Sequence, residues 1–348
     1  MTYSAARGRS EGSFFASLLR ELPYEKPRSR LLEVDAARGL AILLVVIGHV
    51  VARDFPAGNA WFVEVKAAIY SFHMPLFMVL TGITFALSVP RFAGWAEVAR
   101  FSGKRVERLF LPYVAFGLLI IAGKLAASRF IHVDRPPEGT LDEVVRLLAM
   151  PNMSAAGFLW FIYVLSIYLL AIPALFHAFG RRPQLLLAAG VALAFFDWPL
   201  WFMLDRVVEY LPFFALGMLL WMHRSAWARI TPAALWGSTL LFALLLWHDA
   251  PKWAAGAASV LPVLGWMQRL PAAPQRWLAV VGLASLAIYL MNTIAIGVAK
   301  GLMLKAFPWD GGYFLVYLPV LTLAGVAAPM LVRRLAVRYS PQAARYLA

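Results

Sequence analysis

The chain has 348 residues, of which 62% are hydrophobic and only 14% charged, with a mean hydropathy of +0.72; this excludes an ordinary soluble domain and places it among integral membrane proteins. Cysteine is absent, which excludes disulfides, thiolate catalysis and thiolate metal sites. The formal net charge of +14 reflects membrane topology rather than nucleic-acid binding, because the basic residues fall mainly on one side of the apolar runs.

Those runs lie at roughly 36–54, 67–88, 109–127, 157–178, 184–200, 209–222, 232–248, 254–268, 277–299 and 312–332. They lack the period-2 alternation of barrel strands and predict an all-α, polytopic transmembrane helix bundle of about ten spans. With a cytoplasmic N-terminus, about 22 of the 32 Lys and Arg residues fall on the inner side. Both termini are therefore expected in the cytoplasm. The expected division is a cytoplasmic tail at 1–30, one membrane domain at 31–334 and a cytoplasmic tail at 335–348.

Residues 1–30 are too charged over too long a stretch for a cleavable signal. Ser13–Leu22 has the pattern of a short interfacial helix, with disorder as the equal alternative. The first span, Leu31 to Asp54, is almost wholly apolar but carries Asp35, Arg38 and His49. Only about 14 residues separate Arg38 from Arg53, or about 21 Å of helix, short of a hydrocarbon core of about 30 Å. The flanking charges are thus drawn into the membrane zone, where ionisable groups pair, face the protein interior or snorkel. Arg38 and His49 are eleven residues apart, three turns plus about 20°, so they share a face with about 16 Å between them along the axis. Asp35 is a helical neighbour three residues before Arg38.

The second span begins AIYSFHMPLFMVLTG, with His73 near its outer end, where it has the means to approach His49; a plain hydrogen bond in a loop is the structural alternative. Lys104, Arg105 and Arg108 stand where the third span begins on the inner side, and guanidinium groups three apart suit phosphate oxygens. Positive-inside topology alone also accounts for any one of them. A long outer segment, about 128–156, contains a candidate amphipathic helix at Leu141–Met150. Trp160 then re-enters the membrane as a belt residue or a sugar platform. Asp197, Asp205, Arg206 and Glu209 lie near the outer surface, and Glu209 faces either solvent or a cavity.

In combination, DAARGLAILLVVIGH, FHMPLFMVLTG, the arginine pair with RLFLPY, FLWFIYVLSIYLL, YLPFFALGML and SLAIYL resemble, in order, the landmarks of the acyltransferase 3 family of bacterial multi-pass membrane enzymes. The resemblance spans about 31–333 and is nearest the sugar O-acetylase branch. It implies an acyl-CoA donor, acetyl-CoA first among them, and a hydroxyl acceptor on a carbohydrate or glycolipid, as in exopolysaccharide or O-antigen modification. It implies catalytic roles for His49, Arg38 and Asp35, with Arg105, Arg108 and Lys104 holding the donor's phosphates and no metal. His73, Trp160 and Glu209 are the candidate substrate-binding residues. The bacterial inner membrane is the implied location, and polysaccharide-assembly proteins are the implied class of partner.

One position departs from the family. Many relatives carry a histidine soon after the Tyr-Leu of the penultimate span, where this chain has Asn292. Asparagine cannot exchange a proton near neutral pH, so no chemistry is assigned to it on sequence grounds. Direct transfer with His49 as base is the expected route, and a transient acyl-His49 is the second. The rival reading from another class is a proton-coupled transporter or lipid flippase, which also uses buried histidine and interrupted helices.

Overall fold

The computed structural model describes residues 31–52, 55–129, 137, 139–227 and 230–347; the interfacial helix expected at Ser13–Leu22 lies outside them. The described residues are helical throughout, with no strand among them. Five helices are long and apolar enough to cross a membrane: Ala60–Ser88, Trp95–Ala127, Gly157–Ala178, Ser285–Met303 and Gly311–Tyr339. The ten runs read from the sequence therefore do not translate into ten such helices.

Helix α1 (Leu32–Val50) is the hub. It packs against α2 (Ala60–Ser88), and against α10 (Val260–Arg269), α11 (Ala272–Leu283), α12 (Ser285–Met303) and α13 (Phe314–Tyr339). Small residues allow this crowding: Ala36, Ala37 and Ala41 are fully buried, with Ile42 and Val46 completing the core side. Two reciprocal glycine contacts set the tightest crossings. A Cβ at Gly39 would meet the carbonyl of Leu278, and one at Gly282 would meet the carbonyl of Asp35, so α1 and α11 touch backbone to backbone. The same holds between α2 and α7 (Leu204–Met222), where Gly82 meets the Phe214 carbonyl and Gly217 the Val79 carbonyl. Without a hydrophobic drive between helices in lipid, such close approach is what dispersion needs.

Several elements differ from the runs read off the sequence. The second helix begins at Ala60 and the third at Trp95, each well before its apolar run. The helix therefore extends past the apolar segment, and Lys104, Arg105 and Arg108 stand on α3 (Trp95–Ala127) itself. The outer segment forms α4 (Thr140–Ala149) where a short helix was expected. The run at 157–178 forms α5 (Trp160–Ala178) behind a short 3-10 turn. The run at 184–200 yields only α6 (Pro183–Leu193), about 16 Å long and stopped ahead of a Phe195–Pro199 turn. After α8 (Pro232–Trp247), the run at 254–268 divides at Ser259 into α9 (Lys252–Ala258) and α10. Pro262 has no N–H to give the Ala258 carbonyl, which interrupts the ladder there. The run at 277–299 divides at Ala284, whose amide is shared between the carbonyls of Val280 and Val281. The stretch expected as a C-terminal tail prolongs α13 to Tyr339 and forms α14 (Pro341–Leu347), with the Arg333 guanidinium donating to the Leu347 carbonyl at 2.9 Å.

Candidate active site

His49 sits in the last turn of α1, half-buried. Its Nδ1 lies 2.7 Å from Oδ1 of Asn292 on α12. The orientation of that amide is fixed by its other bonds, since Nδ2 of Asn292 donates to the carbonyls of Ile288 (2.8 Å) and Tyr289 (2.9 Å). The oxygen is thus the atom presented to the imidazole, and the network assigns the proton of neutral His49 to Nδ1. Nε2 keeps its lone pair. This is the arrangement a general base requires, a ring whose tautomer is set by a partner on the far nitrogen. Asn292, to which sequence reasoning assigned no chemistry, is the hydrogen-bond partner of the imidazole. It exchanges no proton, but its amide oxygen accepts one hydrogen bond.

A cleft of about 350 Å³ opens beside the ring, its wall including His49, Lys66, Tyr70, Lys124, Phe158 and Thr293. Phe158 meets the imidazole edge-on, with ring centroids 6.1 Å apart. The Tyr289 hydroxyl donates to the Phe158 carbonyl at 2.5 Å, so one turn of α12 positions both the ring's polar partner and its aromatic neighbour. Tyr70 donates to the Gly48 carbonyl at 3.0 Å, and its ring fills the space that a side chain at position 48 would need. The Ala155–Phe158 side of the cleft is held from behind. Glu143, 2% exposed, accepts from the Ala155 amide at 2.7 Å, the Ser154 hydroxyl at 3.3 Å and Arg146 at 3.2 Å. Lys124 donates to the Ala155 carbonyl at 2.9 Å. Burying a carboxylate is costly without such a full set of donors; Glu143 is a positioning residue that the sequence alone did not single out.

The remaining predicted residues fall in three places. Arg38 is on the same continuous helix as His49, about 16 Å away by helical rise, and its Nη2 donates to Thr84 Oγ1 at 2.8 Å. Asp35 is buried one turn before it. At the same end of the helices, Lys104 and Arg108 are exposed, and the Arg105 guanidinium lies 4.3 Å over the Phe101 ring. This group stands apart from the cleft wall, at the other end of α1. His73 is buried within α2 rather than in a loop. Its Nδ1 donates to the Ile69 carbonyl at 2.7 Å and its ring packs 5.0 Å from Tyr70, so it backs the cleft without lining it. Trp160 packs 5.2 Å from Tyr210 and 5.8 Å from the Arg206 guanidinium. Glu209 accepts from Arg206 at 2.5 Å and from Lys252 at 3.1 Å. These two belong to a neighbouring ionic and aromatic cluster. No group of three or more His, Asp or Glu side chains suited to a metal ion occurs among the described residues.

Residues 31–334 match the family described as the acyltransferase domain. The chain is similar to nodulation protein NolL of Sinorhizobium fredii (strain NBRC 101917 / NGR234), with 32% identity over 197 residues, 55% of this chain and 49% of that protein. It is also similar to nodulation protein NolL of Mesorhizobium japonicum (strain LMG 29417 / CECT 9101 / MAFF 303099), with 30% identity over 195 residues, 55% of this chain and 48% of that one. The chain thus spans about half the length of the curated relatives it matches. No solved structure matches it.

Proposed function

The chain belongs to the acyltransferase domain family, and on that premise we propose that it is an integral membrane O-acyltransferase acting on a carbohydrate or glycolipid hydroxyl. The donor in this reading is an acyl-coenzyme A, acetyl-CoA first, and the membrane is the bacterial inner membrane with both termini in the cytoplasm. The observation that carries it is the His49–Asn292 pair beside a cleft. A sugar hydroxyl is a weak nucleophile at neutral pH, and a base positioned within hydrogen-bond reach is what activates it.

In the proposed reaction an acceptor hydroxyl in the cleft gives its proton to Nε2 of His49 as its oxygen attacks the thioester carbonyl. The C–S bond then breaks. The imidazolium returns the proton to the departing thiolate, giving the ester and free coenzyme A. Through this cycle Nδ1–H stays on the Asn292 oxygen, which holds the ring and disperses the transient positive charge. Arg38, held by Thr84 Oγ1 with Asp35 one turn before it, and the Arg105, Arg108 and Lys104 group would hold the donor's phosphates at the other end of α1 by charge-assisted bonds. The spacing of about 16 Å between Arg38 and His49 suits an extended arm between phosphate anchor and reacting carbonyl.

The test is release of coenzyme A from acetyl-CoA by the purified protein with candidate sugar acceptors, compared between the wild type and His49→Ala. Acceptor-dependent release that requires His49 supports the reading. Full activity in a folded His49→Ala protein overturns it, and trapping of an acylated His49 in the absence of acceptor replaces direct transfer by the two-step route.

A further inference from the structure

Among the described residues, the wall of the cleft beside His49 contains two ammonium groups, Lys66 and Lys124, and no carboxylate. Lys66 is the telling one. It projects from the first turns of α2 and is half-buried. Its Nζ donates to the Val51 carbonyl at 2.5 Å, with the Ala52 carbonyl at 3.4 Å, and stands 5.2 Å from the centroids of both the Phe55 and Tyr70 rings. No Asp or Glu is within ion-pair distance of it among the described residues, whereas the half-buried Arg146, Arg206 and Lys252 each have one. The two carbonyls just past the end of α1 account for at most two of its three N–H donors. Lys66 lines the same cleft as His49.

We propose that the acceptor carries an anionic group, a carboxylate or phosphate, next to the hydroxyl to be acylated, and that Lys66 binds it. The inference rests on the acyl-transfer reading of the same cleft and names the class of acceptor it takes. A fixed positive charge in a partly desolvated wall attracts an anion far more strongly than the same charge in water. Two aromatic rings beside the ammonium suit the sugar ring that bears the anion. The same chemistry is available from an anionic lipid headgroup, so the source must be separated by experiment.

Binding is measured by calorimetry on the full chain in phosphatidylcholine nanodiscs, with methyl glucuronide, glucose 1-phosphate and methyl glucoside as probes. This readout does not depend on turnover. The expected result is at least a tenfold preference for one or both anionic sugars over methyl glucoside. Lys66→Gln should reduce that preference below threefold, and Lys66→Arg should keep most of it. The carboxylate and phosphate arms identify which anion is taken. Equal binding of neutral and charged sugars, no binding of any, or an unchanged preference in a folded Lys66→Gln protein overturns the proposal. So does a preference that vanishes when phosphatidylglycerol is included in the nanodisc, since the lipid would then be the occupant. Discrimination of charge without coenzyme A release from acetyl-CoA would instead remove the acyl-transfer reading and leave the anion site standing.

Discussion

Nδ1 of His49 and Oδ1 of Asn292 are 2.7 Å apart in space and 243 residues apart in sequence. The contact joins the end of α1 to the second turn of α12 and leaves Nε2 as the ring's acceptor. Because Asn292 cannot move a proton, its contribution is orientation, and it should be separable from that of the ring itself. Asn292→Ala is expected to lower kcat for coenzyme A release by about 10- to 100-fold, the range of a lost hydrogen bond of about 1.5–3 kcal/mol to a group that becomes charged, with KM for acetyl-CoA little changed. Steady-state kinetics at saturating donor would check this, and an unchanged kcat would remove Asn292 from the site.

Replacing the ring should cost more. His49→Gln keeps a hydrogen-bonding side chain but no proton acceptor, and the expected loss is about 10²- to 10⁴-fold in kcat, the usual contribution of a general base. Monodispersity of the purified variant in detergent distinguishes lost chemistry from lost folding.

The donor end calls for a different kinetic signature. Arg105→Ala and Arg108→Ala are each expected to raise KM for acetyl-CoA by about tenfold, the scale of one charge-assisted bond, while kcat stays within about threefold of wild type. The check is a donor titration at fixed acceptor; the same pair assayed with acetyl-pantetheine, which lacks the nucleotide phosphates, should show no difference from wild type.

Loop anchoring by Glu143 is testable without an assay of activity. Glu143→Ala strips the acceptor from the Ala155 amide and the Ser154 hydroxyl. Leaving these donors buried and unsatisfied costs about 1–3 kcal/mol, which corresponds to local opening about 5- to 150-fold more frequent. Hydrogen exchange over 150–157 reports it directly, and unaltered protection would show that Lys124 holds the loop by itself.

The helix crossings predict a contrast between glycines. Gly217→Ala forces a methyl against the Val79 carbonyl, while at Gly103 no atom lies within 4 Å of an added Cβ. Overpacking against backbone costs about 1–3 kcal/mol, so Gly217→Ala should lower the thermal midpoint by several degrees and Gly103→Ala should leave it or raise it slightly, as expected for removing glycine from a helix interior.

How much was legible in the sequence follows from the range of each interaction. Asp35, Arg38 and His49 could be placed on one helix because their spacing is a local, one-dimensional quantity, and α4 could be placed from its amphipathic pattern. The partnership of His49 with Asn292 could not, since pairing across the fold leaves no trace in the periodicity of either helix. Apolar content fails for a related reason at 254–268 and 277–299: hydropathy runs smoothly through Ser259 and Ala284 while the backbone ladder is interrupted. Glu143 was read as part of an ordinary amphipathic turn because its burial depends on a loop eleven to twelve residues later. Trp160 and Glu209 were read as separate candidates, and the fold joins them through Arg206 into one cluster next to the cleft.

The contact between Gly39 and Gly282 lies at the Arg38 end of α1, far from the imidazole, yet it determines where the imidazole is. Sliding α1 by a single residue against α11 would swing His49 by about 100° and carry it about 1.5 Å along the axis, off the Asn292 oxygen. Two missing side chains therefore act as a key cut at the opposite end of the molecule from the lock it operates. Mutations that silence the enzyme should accordingly be found among hydrogen-sized positions that no substrate ever reaches.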